Sequence, residues 1–363
     1  GQNNVAMGDA ALKLISIADG NTAVGASAGA SLTGGSNTAI GWNAMAGGQG
    51  STGDTNTAVG GSALRGLTSG KENVALGNSA LLGNTGASQN IAIGAAALWH
   101  QVYERPGQAS YNTQNIAIGE MALGNTNPTA VDFFDNATNG ASNVGVGHYA
   151  LQDNTTGFGN VALGNNSGLV NTTGNYNIHL GDSAKASGQA VSNEIVIGHG
   201  ATGLGSNSTL IGNSSTTKAY IKGISGVTST GGVAVYVNSD GQLGTVSSSR
   251  RFKENIQDMA GASSRIFNLR PVTFNYKAAY GGGGTQFGLI AEEVDQVIPE
   301  MTVRDKDGQI ETVAYQLLPP MLLNEAQKQH KAIEMLQADN STLKAEVDTL
   351  KAQVAAILAR LPR

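Results

Sequence analysis

Side chains able to do chemistry are sparse in this sequence, and few of them stand at the spacings that chemistry needs. Cysteine is absent, which excludes disulfides, thiolate metal sites and cysteine nucleophiles. The five histidines, His100, His148, His179, His199 and His330, are scattered without the short spacings that bring ligands to one ion, so no metal or cofactor is expected. One close carboxylate pair, Asp132 and Asp135, lies among aromatic residues and is the candidate for two-carboxylate cleavage of a glycosidic bond. Gly145-Val146-Gly147 lacks the strand-to-helix setting of a nucleotide loop. Hydroxyls and basic groups crowd together in one place, Ser247 to Ile256 (SSSRRFKENI). By composition alone this segment reads as a serine linker followed by the basic start of a helix.

The elements that must position these groups begin with a repeat. The pattern Asn-x-Ala-(Val/Ile/Leu)-Gly returns from Asn4 through Asn21, Asn37, Asn56, Asn73, Asn90, Asn115, Asn143, Asn160 and Asn177, with looser copies at Glu194 and Ser208, most often 17 residues apart. Alternation within each run, as in Ile91-Ala92-Ile93, sets the two isoleucines on one face of a strand and the alanine on the other. The closing Gly suits a positive φ or a close backbone approach. One such coil cannot bury its own apolar face, so coils must stack into a solenoid, and the opening asparagines should form a ladder. The pattern resembles the head repeats of trimeric autotransporter adhesins and the shafts of phage tail fibres, families that intertwine three parallel chains.

Two spacings are longer, 25 residues from Asn90 to Asn115 and 28 from Asn115 to Asn143, and such insertions become loops on one side of a solenoid. The first holds Trp99, Tyr103, Arg105 and Tyr111; the second holds Phe133 and Phe134. Projecting aromatic residues suit stacking on the sugar rings of a host-cell surface glycan or anchoring a protein receptor. A local cluster that pins the loop down is the alternative.

From Ser248 the chain resembles the peptidase S74 domain, the intramolecular chaperone of endosialidases, phage tail fibres and myelin regulatory factor. The residues that carry the likeness are Ser248, Arg251, Lys253, Glu254, Asn255 and Ile256, followed by Arg270 to Lys277, the Gly-rich turn Gly281 to Gly284, Phe287 to Val294, Pro299-Glu300 and Val313 to Leu318. The family's Asp after the serine is Ser249 here. Only Ser248 keeps the family's five-residue spacing to its lysine, although Ser247 and Ser249 are neighbouring hydroxyls. The resemblance implies a single-turnover Ser-Lys dyad, with Ser248 as nucleophile, Lys253 as base and cleavage between Ser247 and Ser248. Without it, Lys253 is a solvated helix residue pairing with Glu254 or Asp258. Arg250 and Arg251 either hold a neighbouring chain through Glu292 or Glu293 or face water.

A heptad follows, with a positions Ile333, Asn340, Val347, Val354 and Leu361 and d positions Leu336, Leu343, Leu350 and Ile357. Opposite charges at g and the next e, Asp339 with Lys344 and Glu346 with Lys351, favour parallel, in-register chains, so a homo-oligomer follows from the residues themselves. Val at a with Leu at d favours two strands, whereas the resemblance implies three.

The predicted architecture is mainly β. It comprises a parallel trimeric β-solenoid shaft over 1–213, with insertions near 99–112 and 125–142, and a β neck over 214–247 with a turn at Asn238 to Gly241. A small α/β chaperone domain over 248–322 and a parallel coiled coil over 323–363 complete it. Residues 1–213 carry 16 of the 47 charged side chains, and the net charge of -5 presents no basic surface for nucleic acid. No apolar run approaches the length that spans a bilayer, so no membrane insertion is expected. The resulting expectation is a homotrimeric host-binding fibre at the extracellular tail of a virion. A bacterial cell-surface adhesin or a glycan-degrading tailspike are the alternatives.

Overall fold

The computed structural model describes residues 1–363 except 16, 49, 103–109, 129–138, 223, 225–228, 306 and 360–363. The chain divides into two units, Gly1–Lys222 and Gly223–Arg363.

The first unit is a parallel β-solenoid. Twelve three-residue strands, from Val5–Met7 to Thr209–Ile211, stack in one sheet in chain order. Every rung pairs with the next rung of the same chain, so the ladder needs no second chain to complete it. The two insertions leave the register untouched: Ala92 pairs with Ala117 and Ala117 with Gly145. The added length costs the stack nothing in alignment.

Asparagine carries the stack. Each ladder Oδ1 accepts the backbone N–H of the ladder residue one coil on, at 2.8–3.0 Å, from Asn4 through Asn177 to Glu194. The Nδ2 groups donate to carbonyl oxygens, as from Asn56 to Gly70 at 3.0 Å and from Asn177 to Val191 at 2.7 Å. Only a short side chain with both a donor and an acceptor satisfies both neighbours in a dry interior.

The two faces of each strand divide the apolar residues unequally. Ala23, Ala39, Ala58, Ala75, Ala92, Ala117 and Ala162 are completely buried inside the coils, packed with Leu64, Leu81, Leu98, Leu123 and Leu151. The larger residues that share a face with Ile91 and Ile93 point away from that interior, and many are exposed. The narrow coil has no room for a branched strand side chain facing these leucines, so alanine lines the strand's inner face.

Tight stacking explains the closing glycines. At Gly60 the backbone has φ +137°, and a methyl group there would lie 2.5 Å from the Gly77 carbonyl oxygen. The coils also turn at non-glycine residues with positive φ, such as Ser62 (58°) and Leu64 (50°). Each costs about 1 kcal/mol, offset by the burial of Leu64.

Near the C-terminal end of the stack the interior becomes ionisable. His179 stands where other coils have alanine, is fully buried, and neither ring nitrogen has a hydrogen-bond partner. Burial pushes its pKa down to about 4, with Glu194 pulling the other way. Glu194, also buried, takes the ladder position after Asn177 and accepts the N–H groups of Ser187 at 3.1 Å and Gly205 at 2.8 Å.

The second unit opens with a two-residue hairpin, Tyr236–Val237 against Leu243–Gly244, closed by Asn238, whose side-chain oxygen accepts the Asp240 and Gln242 N–H groups. Beyond it, Val272–Phe274 pairs antiparallel with Gln286–Gly288 across the Gly-rich turn. Helix α1 (Ala291–Val297) precedes a second antiparallel pair, Thr302–Arg304 with Ile310–Val313. Helix α2 (Leu318–Leu358) ends the described chain. Ile266, Val294, Ile298, Met301, Val313 and Met321 form one apolar cluster, which anchors the start of α2. Further along, the heptad residues Ile333, Leu336, Leu343, Val347, Leu350, Val354 and Ile357 are all exposed. Among the described residues, no helix is long and apolar enough to cross a membrane.

Candidate functional site

A single 3₁₀ turn positions the serine-rich segment. Arg250–Phe252 forms it, with the Phe252 N–H donating to the Ser249 carbonyl at 3.0 Å and the Lys253 N–H to the Arg250 carbonyl at 3.0 Å. The turn shortens the path between positions five residues apart, which neither an α-helix nor a strand would bring together this way. As a result Lys253 Nζ donates to Ser248 Oγ at 3.0 Å. Neither the Ser247 nor the Ser249 hydroxyl makes a hydrogen bond among the described residues.

Ser248 and Lys253 are both exposed within one chain, as are Arg250 and Arg251. The Arg251 guanidinium lies over the Phe252 ring, 4.6 Å from its centre. Glu293, one of the two carboxylates considered for these arginines, is taken by Arg270 of the same chain. The Arg270 side chain makes two hydrogen bonds to it and holds its carboxyl below the usual range. Lys253 pairs with Ser248 rather than with Glu254 or Asp258.

A second polar cluster ties the 3₁₀ segment Ala262–Asn268 to α2. The buried Ser263 hydroxyl donates to Glu325 Oε1, Lys328 Nζ reaches the same oxygen at 2.7 Å, and Asn324 Nδ2 donates to the Ala260 carbonyl at 3.0 Å. Lys328, then Ser263, holds the Glu325 carboxyl below its ordinary value. Sequence reading missed this cluster, because partners some 60 residues apart in mixed polar stretches leave no local pattern.

The residues considered for receptor binding fare differently. Tyr111 is a correction: it is buried, in a short strand paired with Ala87–Ser88, and its ring lies against Gly86. The aromatic side chain completes the coil at the end of the first insertion instead of projecting from it. Trp99 is half-buried, with its ring 4.3 Å from that of His100. Tyr103, Arg105, Phe133 and Phe134, with Asp132 and Asp135, lie outside the described residues. Among the described residues, no group of three or more His, Asp or Glu is arranged to hold a metal ion.

Comparison with known families finds a match within the C-terminal unit. Residues 248–303 match the family described as chaperone of endosialidase, peptidase S74. The match opens on Ser248 itself. No curated protein and no solved structure matches the chain.

Proposed function

We propose that this chain is a fibre-type shaft whose C-terminal unit gathers three copies and is then severed from the shaft between Ser247 and Ser248. The observation that carries the reading is the 3.0 Å contact of Lys253 Nζ with Ser248 Oγ, at the residue where the family match begins. The exposed heptad face of α2 supports assembly, since isolated surface helices do not leave such a stripe in water.

Assembly also supplies the switch. A lysine amine acts as a base only when it is desolvated and neutral, and both members of the pair are exposed in the single chain. Packing of neighbouring copies over the turn removes water and turns Lys253 into the proton acceptor. It takes the Ser248 hydroxyl proton, and Oγ attacks the carbonyl carbon of Ser247. The tetrahedral intermediate collapses with loss of the C–N bond, and the proton passes to the departing Ser248 amine. Ser247 is then held as an ester on Ser248 Oγ. Water hydrolyses the ester, leaving a carboxylate on Ser247 and a free amine and hydroxyl on Ser248. The shaft, freed of its template, presents its surface and its insertions to a host-cell glycan or protein receptor.

Intact-mass measurement of the expressed protein tests the reading. Wild type should yield two pieces, residues 1–247 and 248–363, while Ser248→Ala, Lys253→Ala and Lys253→Arg stay whole. Cleavage that survives both lysine substitutions would remove Lys253 from the chemistry.

A further inference from the structure

The outward face of the shaft raises a question that its own chain does not answer. Along twelve rungs, the first and third strand positions are valine, isoleucine, leucine or methionine, with Thr22, Thr38, Thr57 and Thr209 the only polar ones and no charge among them. Rungs about 4.8 Å apart make this a strip on the order of 50 Å long and two side chains wide. Monomeric soluble proteins rarely leave an apolar patch of that extent uncovered. Other columns of the same solenoid look different. One runs Glu72, Gln89, Gln114, linked by side-chain hydrogen bonds of 3.2 and 3.1 Å, and beside it Lys71 pairs with Asp54 at 3.0 Å. Those columns are finished against water, and the strand face is not.

We infer that the strand face of the shaft is the surface on which copies of this same chain pack against each other, rung against rung. This rests on the proposed self-severing assembly and deepens it. Three features of the chain select the occupant. The face has no charge to meet a charged ligand and no aromatic ring to stack on a sugar. Its repeat matches only a surface with the same rung spacing, which another copy supplies. The heptad of α2, with its complementary charges at Asp339 and Lys344, sets copies parallel and in register, the alignment such a strip requires. Cleavage after Ser247 then has a structural consequence. It removes α2 from the shaft, so copies that stay together must be held by a surface of their own. Parallel, in-register copies that all turn this face toward one common axis bring the same rung of each together, which accommodates three copies as readily as two.

The absence of native cysteine makes the test clean. Ile118→Cys places one thiol on the strand face of the full-length chain, and Glu72→Cys places one on the polar column. Under mild oxidation the Ile118→Cys protein should cross-link between copies at least about fivefold more than the Glu72→Cys protein, because in-register packing sets the same rung of each copy side by side, with light scattering reporting the assembly mass of each. Equal, low cross-linking in a protein that still scatters as an oligomer overturns the inference and leaves the proposed function standing, with α2 and its unit alone holding the copies. A monomer by scattering with no cross-link overturns both. A second variant, Ile91→Glu with Ile118→Glu, should leave the full-length mass unchanged but let the released 1–247 piece fall to monomers; a released piece that stays assembled also overturns it.

Discussion

The two units solve the same problem, burying apolar surface, in opposite ways. The C-terminal unit has an ordinary small core in which Ile266, Val294, Ile298 and Met301 face inward. The shaft lines its coils with alanine, leucine and asparagine and, Val196 apart, turns its strand isoleucines and valines out. A globular unit can fold once around a core, whereas a solenoid gains stability coil by coil from its neighbours. What the contrast teaches is where each unit is vulnerable: the shaft to any added volume or lost hydrogen bond between coils, the C-terminal unit to loss of its partners.

The largest effect that would sharpen this contrast is steric. Gly94→Val places side-chain atoms on a φ of +130°, with the Gly119 carbonyl oxygen 2.5 Å from the new Cβ. It should destabilise the shaft by about 3 kcal/mol or more, read as a lowered shaft transition in calorimetry while the helical signal of α2 persists. Simultaneous loss of both would mean that the units do not fold separately.

Next comes the ladder. Asn90 Oδ1 accepts the Asn115 N–H at 3.0 Å and the Thr113 hydroxyl at 2.7 Å. Asn90→Leu strands the Asn115 N–H in a dry interior, leaves the Thr113 hydroxyl only the Ser88 carbonyl at 3.3 Å, and should cost about 1–3 kcal/mol, with hydrogen exchange quickening in the coils around residues 90–115 first. Uniform quickening along the whole shaft would argue against neighbour-by-neighbour stability.

Acid should act at one place in the shaft. The folded-state pKa of His179, about 4, lies below its unfolded value of 6.5. The unfolded chain therefore takes up the proton first, and stability is fully present above pH 6.5 and lost as pH falls toward 4. The loss is about 3 kcal/mol at most. Thermal melts of the shaft between pH 7 and 4 should show it, and His179→Ala should flatten that part of the curve. An unchanged slope in the variant would remove His179 as its source. The smallest effect expected is that of Ser263→Ala, a fall of a few degrees in the melting of the C-terminal unit with α2 still helical, because Glu325 keeps Lys328.

The rungs were legible in the sequence because Asn, Ala and Gly each answer a separate demand: ladder, narrow interior and tight turn. Which face would be covered was not legible. Alternation in Ile91-Ala92-Ile93 distinguishes two faces without saying which looks into the coil. The positive φ at Leu64 left no trace either, since no residue preference marks a leucine in a left-handed turn. At the candidate site, the spacing of Ser248 and Lys253 gained meaning only from the family resemblance, and the 3₁₀ turn supplies the geometry. Tyr111 misled because an aromatic residue in an insertion reads alike whether it projects or seals the coil.

The most direct test of the central claim is to map the new chain ends in wild-type protein purified after full assembly. The account predicts a C-terminal piece beginning at Ser248 and a shaft ending at Ser247. A chain that remains whole once assembled, or a piece that begins elsewhere, would contradict it.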